Sequence, residues 1–380
     1  MLKILHNRRV LAAKRAFSVR RVPMKDMRAI LTEDHAPRPG DVVLARVTEI
    51  GRLERIELPT GRKSRLYEGD EVILAYGHRY APYAYEAEIP DDLGECDLAA
   101  AGGIASNVLA AATTFAGIRT PTRVQPIGVF ADAQGRPINV SDYAVQPSLP
   151  RTRNVPVVAV VGASMNSGKT TTVAGIVRGF ANQGFKVGAA KITGTGAGGD
   201  LWKFHDAGAA AALDFTDAGM ATTYLAPVEQ IARGAVDLAA ALMARRCDVI
   251  VIEIADGVQQ RETLALLDEP GLRGLVDQWV FAADSAASAA NGVEVMQGAG
   301  LSVAAISGRL TASPLAMREA AGLVDLPIIG LPELEGGETP TRWIESRPAP
   351  DTAPDTAPGN APGGAARSAS GAAPDVSAAG

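Results

Sequence analysis

Apolar residues follow two different periods along the chain. Between residues 39 and 90, short apolar runs such as VVLARV and EVILAY alternate with turn signals at intervals of roughly eight to twelve residues. Short strands at this spacing predict a small, strongly bent β-sheet or barrel, which we assign to residues 38–150. From residue 155 to 345, apolar strands alternate with helical patterns, which is typical of βαβ units. The predicted fold class is α/β, with a parallel-sheet domain in the C-terminal half and a small β-rich domain ahead of it.

Individual elements can be predicted from the same patterns. The first strand of the parallel sheet starts at Val157 and leads into a helix, and five more strands are expected at 186–192, 248–254, 279–284, 301–307 and 326–330. Further helices are expected around 204–213 and at 228–245. In the β-rich half, residues 99–115 favour a helix that begins at its glycines. Tyr80, Tyr83 and Tyr85 are interpreted as packing residues rather than as ligand contacts.

The two ends of the chain and its charge narrow the class of protein. Residues 1–37 are basic and lean towards helix, whereas residues 346–380 lack leucine, isoleucine and aromatic residues and are predicted to be a disordered tail. A net charge of −5 gives no footprint for nucleic acid, and no apolar run approaches a membrane span or the core of a signal peptide. We therefore expect a cytoplasmic protein without nucleic-acid or membrane partners. Neither the two cysteines nor the four histidines form a metal-binding pattern.

One motif, VVAVVGASMNSGKTTT at residues 157–172, predicts a phosphate-binding loop. A polyphosphate needs several converging backbone N–H donors, and small residues let the main chain approach it closely. Lys169 is expected to reach the β and γ phosphates, and Thr170 to ligate Mg²⁺. Ala163 stands where glycine is commoner, and a glycine-rich turn without a ligand is the alternative. The predicted nucleotide-binding residues are Ala163, Ser164, Met165, Asn166, Ser167, Gly168, Lys169, Thr170 and Thr171.

Further polar residues fall at predicted strand ends, on the same edge of the sheet as this loop. Lys191 leads into a glycine-rich segment that closes at Asp200, and Glu253 ends a strand otherwise made of valine and isoleucine. Acids beside a phosphate loop commonly hold magnesium or its waters. Thr170, Asp200 and Glu253 therefore form the predicted metal set, and Lys169, Lys191 and Glu253 the predicted catalytic residues. The alternative is that Lys191 forms a structural ion pair with one of the acids.

These residues resemble a known group of P-loop proteins. The α/β half is similar to dethiobiotin synthetase and to the molybdopterin-guanine dinucleotide biosynthesis adaptor protein, and most of all to an uncharacterised P-loop family with an extra N-terminal domain. NSGKTTT resembles all of them, and GGDLWKFHDAGA at 198–209 resembles a segment of the adaptor protein. The spacing of Lys191, Asp200 and Glu253 is similar to dethiobiotin synthetase, where the matching lysine contacts substrate and the acids bind magnesium. That enzyme reads adenine with an asparagine, and Ser307 stands at the comparable place.

Three functions are consistent with the sequence. The first is an ATP-dependent ligase-type enzyme that phosphorylates a small carboxylate or carbamate, with ATP or GTP and Mg²⁺ as cofactors and an anionic small molecule as substrate. The second is a nucleotide-dependent switch or adaptor in cofactor or metabolite biosynthesis, which the adaptor-like segment favours. The third, implied by the uncharacterised family, is acyl transfer to an amino acid. The resemblance also implies a homodimer.

Overall fold

Most of the chain is described by the structure, a computed structural model. It covers residues 1–33, 35–113, 120–146 and 155–345, which all belong to one unit, Met1–Arg347. The predicted disordered tail at 346–380 lies outside the described residues, as does most of the predicted boundary between the halves. The division of the chain into four segments therefore stays a prediction.

Strands dominate the chain up to residue 146. Three of them, β4, β7 and β11, contain several valine or isoleucine residues, and each has a run of at least four consecutive buried residues. Such runs are typical of strands inside a small closed sheet. The elements are β1 (Leu2–Ile4), α1 (Asn7–Ala12), β2 (Lys14–Arg15), β3 (Ala29–Leu31), β4 (Val42–Glu49), β5 (Arg55–Glu57), β6 (Lys63–Arg65), β7 (Glu71–Tyr76), β8 (Tyr85–Glu88), β9 (Cys96–Ala100), β10 (Ile104–Ala111) and β11 (Thr122–Ala131).

Five of these strands close into a barrel. β11 pairs with β4, β4 with β7, β7 with β10, β10 with β9, and β9 again with β11. β7 and β10 are parallel to each other and the other four pairs are antiparallel. β1, β2, β3 and β8 extend this sheet, and β5 and β6 form a separate hairpin. Ring closure removes the exposed edges of the central strands. The predicted β-rich region is confirmed.

Two expectations for this half are wrong. Residues 1–37 are not mainly helical, because β1 and β3 pair with each other and β3 continues onto β11. The expected helix at 99–115 is replaced, as far as residue 113, by the antiparallel strands β9 and β10. Gly103 turns between them with φ +96°, and a Cβ there would lie 2.0 Å from the Ala16 side chain. Alanine-rich sequence favours helix locally, but pairing within the barrel overrides that preference.

The C-terminal half is the predicted parallel sheet. Its six strands lie in the order β14-β13-β15-β12-β16-β17, with every neighbouring pair parallel. The strands are β12 (Val157–Gly162), β13 (Val187–Lys191), β14 (Ala211–Asp214), β15 (Val249–Glu253), β16 (Gln278–Ala282) and β17 (Val303–Ser307). The helices are α2 (Lys169–Asn182), α3 (Gly199–Asp206), α4 (Val228–Ala244), α5 (Arg261–Leu267), α6 (Pro270–Arg273), α7 (Ala286–Gly298), α8 (Pro314–Ala321), α9 (Leu331–Gly336) and α10 (Glu338–Glu345).

Helices cover both faces of this sheet. Alternate residues of β12 enter different cores: Val157 and Val161 pack with α4 and α7, whereas Val158 and Val160 pack with α2 and α9. Every residue of β12 is buried, which explains the uninterrupted apolar run that predicted it. The α/β fold class is confirmed. In the described part of the chain, no helix combines the length and apolar character needed to cross a membrane.

Two predicted elements of this half differ in the structure. The helix expected at 204–213 begins earlier and ends at Asp206, because Gly208 takes φ +107° and the chain then enters the edge strand β14. The strand expected at 326–330 is reduced to a single bridge between Ile306 and Ile328. Pro327 offers only its carbonyl there, to the Ile306 N–H at 2.8 Å.

A buried ion cluster joins the two halves. The Arg20 guanidinium contacts Asp214 Oδ1 at 3.0 Å and Asp217 Oδ2 at 2.5 Å and also bonds Thr216, while its face covers the Phe17 ring. Asp214 and Asp217 are almost fully buried. The basic N-terminal residues thus include one that neutralises carboxylates at the end of the parallel sheet.

Replacement of Arg20 by alanine is expected to lower the free energy of unfolding by about 3 kcal/mol, because it leaves buried Asp214 without its cation and Asp217 with Arg21 alone. Denaturant titration measures the change. The control is Arg9→Ala, which breaks a more exposed pair with Glu71 and is expected to cost less than about 1 kcal/mol. Equal effects of the two substitutions would contradict the assignment of Arg20 as the joining residue.

Candidate functional site

The predicted phosphate loop has the backbone of an anion-binding loop. β12 ends at Gly162, residues 163–168 turn, and α2 begins at Lys169. Asn166 takes φ +68° and Gly168 φ +104°, so the loop uses left-handed backbone at two of six positions. A Cβ on Gly168 would lie 2.9 Å from the backbone nitrogen of Arg309, which explains why a glycine precedes Lys169. The free N–H groups of the first turn of α2 face this loop. The C-terminal half therefore has the strand, loop and helix that the motif predicts for a P loop.

Lys169 lies inside the loop. Its side chain is 5% exposed, and its Nζ donates a hydrogen bond to the Ser164 carbonyl oxygen at 2.7 Å. Burial lowers the pKa of Lys169, and the negative charges of Glu253 and Asp256 partly offset this effect. Ser167, also in the loop, has a buried Oγ that forms no hydrogen bond with any described residue. A cation and an unpaired hydroxyl held next to helix N–H groups suit a phosphate ligand.

Thr170 and Glu253 form a pair that fits Mg²⁺. The Thr170 hydroxyl donates to Glu253 Oε1 at 3.1 Å, while Glu253 Oε2 is buried and accepts no hydrogen bond from the residues that the structure describes. Burial raises the pKa of Glu253, and Lys191 opposes that shift. Mg²⁺ binds oxygen ligands and commonly uses one or two protein groups together with phosphate oxygens. In the described part of the chain, no group of three or more His, Cys, Asp or Glu could hold a metal ion. Thr170 and Glu253 would therefore hold the ion together with the phosphates.

Lys191 and Asp200 contact each other directly. Lys191 ends β13 beside Glu253 in the neighbouring strand β15, and its Nζ bonds Asp200 and lies 3.9 Å from Glu253 Oε1. The charges of Glu253 and Asp200 outweigh burial and raise the pKa of Lys191, so the lysine stays protonated. The alternative of an ion pair is therefore what the structure contains. The role of Asp200 as a metal ligand stays a prediction.

One cavity of about 690 Å³ is lined by Lys169, Thr170, Lys191, Asp200 and Glu253, whereas Ala163, Ser164 and Ser167 do not line it. The P loop, α2 and the ends of β13 and β15 form one side of it, and the segment after β7 in the β-rich half contributes to the lining as well. Five lining residues are cationic and three are acidic, so the charge favours an anionic ligand. The charged residues are Arg79, Lys169, Lys191, Lys203, Arg309, Asp200, Glu253 and Asp256.

Ser307 lies in a second cavity, of about 310 Å³. This cavity shares Gly168, Thr171 and Arg309 with the first one, and Leu331 and Pro332 close its apolar side. Ser307 ends β17 and is 2% exposed. The following Gly308 takes φ +99°, and the Arg309 N–H bonds the Ser167 carbonyl oxygen at 2.9 Å. The end of β17 is thereby fixed against the P loop.

Several lining residues were not predicted from the sequence. Arg79 and Tyr80 come from the β-rich half, and Tyr80 was interpreted as a packing residue only. Lys203 lies one helical turn after Asp200 and bonds the Thr171 hydroxyl at 2.7 Å. Asp256 follows Glu253 in a loop whose Val258 N–H bonds the Gly162 carbonyl oxygen. Lys203 could have been predicted, because it lies in the adaptor-like segment at 198–209. No local sequence pattern indicates that Arg79 and Lys169 line the same cavity.

The β-rich half also anchors α3. Glu57, at the end of β5, is buried and accepts hydrogen bonds from the Gly198 N–H at 3.2 Å and from Trp202 Nε1 at 3.3 Å. A Cβ on Gly61 would lie 2.5 Å from Trp202 Nε1, so the hairpin turn packs closely on that indole. α3 carries Asp200 into the cavity. Its position depends on a carboxylate from the other half.

Replacement of Glu57 by alanine is expected to destabilise the protein by roughly 1.5–3 kcal/mol, because two donors lose a charged acceptor. Thermal or denaturant unfolding measures this loss. Glu57→Gln is the matched control, since its amide oxygen keeps one acceptor of similar size, and a smaller loss is expected. A stability of Glu57→Ala equal to that of the unmutated protein would contradict the anchoring role.

Comparisons with known proteins find similarity at the level of solved structures. No family model matches the chain, and no curated protein matches it. The signal recognition particle 54 kDa protein from Aeropyrum pernix, in complex with GDP, has 19% identity and a TM-score of 0.34 over 52% of this chain and 47% of that one. The receptor FtsY from Elizabethkingia anophelis, in complex with GDP, has 17% identity and a TM-score of 0.35 over 55% and 69%. The cell division protein FtsY from Thermotoga maritima has 16% identity and a TM-score of 0.29 over 54% and 63%. The chain thus spans about half the length of the Aeropyrum protein.

Proposed function

We propose that this protein is a Mg²⁺-dependent nucleoside triphosphate-binding enzyme that phosphorylates a small carboxylate or carbamate. The observation that carries the proposal is the first cavity, which contacts both the P loop and the β-rich half. The second cavity, beside Gly168 and Ser307, offers a separate place for the nucleoside. The first cavity then has room for the polyphosphate and for an acceptor next to its γ-phosphoryl group.

The residues of the cavity suit phosphoryl transfer. An acceptor carboxylate oxygen attacks the γ-phosphorus, the bond to the bridging oxygen breaks, and the nucleoside diphosphate leaves with the electron pair. Lys169 and the loop N–H groups stabilise charge on the transferred group. Mg²⁺ neutralises phosphate charge when it is bound by Thr170 and Glu253. An amine that loses a proton then displaces inorganic phosphate from the acyl phosphate and closes a C–N bond.

Lys191 is proposed to steer the anionic acceptor. It is protonated and lies beside Glu253, at the edge of the sheet where the phosphates would end. The resemblance of Lys191, Asp200 and Glu253 to the spacing in dethiobiotin synthetase supports this role. The proposed nucleotide is ATP or GTP, with its base recognised beside Ser307. We also propose that the protein forms a homodimer, which light scattering tests. The proposal includes no nucleic-acid or membrane partner.

A nucleotide-dependent switch is the second candidate. The anchoring of α3 on Glu57 favours it, because α3 also carries Asp200, the partner of Lys191. A nucleotide that displaced Asp200 would transmit the change to the β5–β6 hairpin. Such a protein would hydrolyse nucleotide slowly and bind a partner protein in one nucleotide state.

Phosphate release from ATP and from GTP with Mg²⁺ separates these functions. Each nucleotide is tested alone, with a dialysed and with an undialysed small-molecule extract, and Lys169→Ala serves as the blank. Stimulation by the undialysed extract alone is expected for the enzyme. Slow release that is indifferent to extract would instead favour the switch. An acetyl-CoA-dependent mass increase of an amino acid, without nucleotide turnover, would favour acyl transfer and contradict the proposal.

A further inference from the structure

Arg79 is a half-buried cation without a carboxylate partner among the described residues. Its Nη1 donates to the Ala99 carbonyl oxygen, and its guanidinium carbon lies 5.9 Å from the centroid of the Tyr85 ring. Its Nε is buried and has no hydrogen-bond partner within the described part of the chain. Burial lowers the pKa of Arg79 to about 10, with only a weak opposing effect from Tyr85. Arginine donors that are withdrawn from water normally find an acceptor, most often on an acid.

The backbone of Arg79 is fixed in place. Its N–H donates to the Ala87 carbonyl oxygen at 2.8 Å, and its own carbonyl accepts from the Ala87 N–H at 3.0 Å. These two bonds tie the segment after β7 to β8. The guanidinium is therefore presented from a backbone bridge to β8, which extends the barrel sheet, and this makes it suitable for positioning a ligand.

Arg79 lines the first cavity together with the P-loop residues. Tyr80 and Ala81 adjoin it there, and the Tyr80 ring packs on Tyr224 with centroids 5.5 Å apart. This part of the wall therefore combines one guanidinium with apolar surface. The phosphate-binding groups, Lys169 and the N-terminus of α2, belong to the other half of the chain. Arg79 is thus additional to the groups that a nucleotide requires.

We propose that Arg79 binds the carboxylate of the second substrate, and that Tyr80 and Ala81 contact its short apolar portion. Nη1 is already engaged with Ala99, which leaves Nε and Nη2 on one edge of the guanidinium. That edge offers two parallel donors, the arrangement that carboxylates prefer. The buried, unpartnered Nε gains its missing acceptor when the carboxylate binds. Arg79 is thereby a positioning residue for the acceptor and not a ligand of the nucleotide. This inference rests on the proposed function.

The test measures two ligands on the same variants. Binding of Mg·ADP and then of succinate, acetate or inorganic phosphate to the ADP-loaded protein is followed by calorimetry for the unmutated protein, Arg79→Gln and Arg79→Lys. Arg62→Gln, an exposed arginine on the β5–β6 hairpin, is the matched control. We expect saturable binding of a carboxylate to the unmutated protein, weakened about tenfold or more in Arg79→Gln. Arg79→Lys keeps the charge without the two-donor edge and is expected to be intermediate. Mg·ADP affinity is expected to be unchanged in all of them.

Each other outcome identifies a different failure. Absence of binding of both Mg·ADP and Mg·GDP to the unmutated protein would overturn the proposed function. Normal Mg·ADP binding with no carboxylate binding, or with equal carboxylate binding in Arg79→Gln, would overturn this inference alone. Equal weakening of Mg·ADP and succinate would assign Arg79 to the nucleotide, and a preference for inorganic phosphate over both carboxylates would assign it to a phosphate. Arg79→Lys keeps the test decisive if Arg79→Gln does not fold.

Discussion

Lys169→Ala is expected to weaken binding of Mg·ATP and Mg·GTP by roughly 10- to 100-fold and to abolish turnover. A charge-assisted hydrogen bond to phosphate is worth about 1.5–3 kcal/mol, and Lys169 is the cation held within the P loop. The fold is expected to survive, because removal of a buried cation whose pKa is lowered by burial removes a desolvation cost. Calorimetric titration measures the affinity, and thermal unfolding measures the stability.

The matched control for this substitution is Lys186→Ala. Lys186 is exposed and stands just before β13, at the opposite edge of the sheet, where its Nζ bonds the Arg245 carbonyl oxygen. Nucleotide affinity is expected to be unaffected there. Unchanged binding of Mg·ATP by Lys169→Ala would refute the assignment of residues 163–171 as the nucleotide site.

Glu253→Gln is expected to reduce the magnesium-dependent activity by about 10- to 100-fold, the usual cost of losing a group that orders a metal or its waters. The same substitution is expected to leave the stability of the protein unchanged or to raise it. Burial raises the pKa of Glu253, so an amide of the same shape removes a buried charge, and its oxygen still accepts from Thr170. The expected result is an equal or higher melting temperature together with a smaller Mg²⁺-induced shift in the presence of nucleotide.

A second buried acid provides the comparison for Glu253. Glu262 is also nearly inaccessible to solvent, but it accepts from the Leu225 N–H and does not line the first cavity. Glu262→Gln is expected to leave the Mg²⁺-induced shift intact. Loss of the shift in both variants would indicate a general effect of buried acids, and retention of it in Glu253→Gln would remove Glu253 from the metal site.

The P loop and the parallel strands could be predicted because their signals are local. β12 and β15 are buried on both faces, so each appears as a continuous apolar run, and the lysine and threonine follow at fixed spacing. Glu253 was found by the same rule, since an acid at the end of an apolar strand is conspicuous. The period of the apolar residues also predicts most of the helices and strands of this half, but not the edge strand β14.

The place of Arg79 in the first cavity could not be predicted because it depends on tertiary structure. The sequence around Arg79 contains no pattern that indicates a contact with the P loop. Arg79 and the P loop line the same cavity because the two halves of the chain pack together. The hairpin of β9 and β10 was missed for a related reason. Its alanines favour helix, and only the pairing partners β7 and β11, far away in sequence, determine that it is extended. Barrel closure is a long-range property that no short window of sequence contains.

The contact of Glu57 with α3 limits how this chain can be divided or recombined. Expressed alone, the C-terminal half would keep its sheet but lose the acceptor for the Gly198 N–H and the Trp202 indole, together with Arg20 for Asp214. A chimera that joins a different leading domain to the parallel sheet must therefore supply a carboxylate and a guanidinium at matching points. We therefore expect that one half can be replaced by a homologous domain only if the contacts of Glu57 and Arg20 are replaced with it.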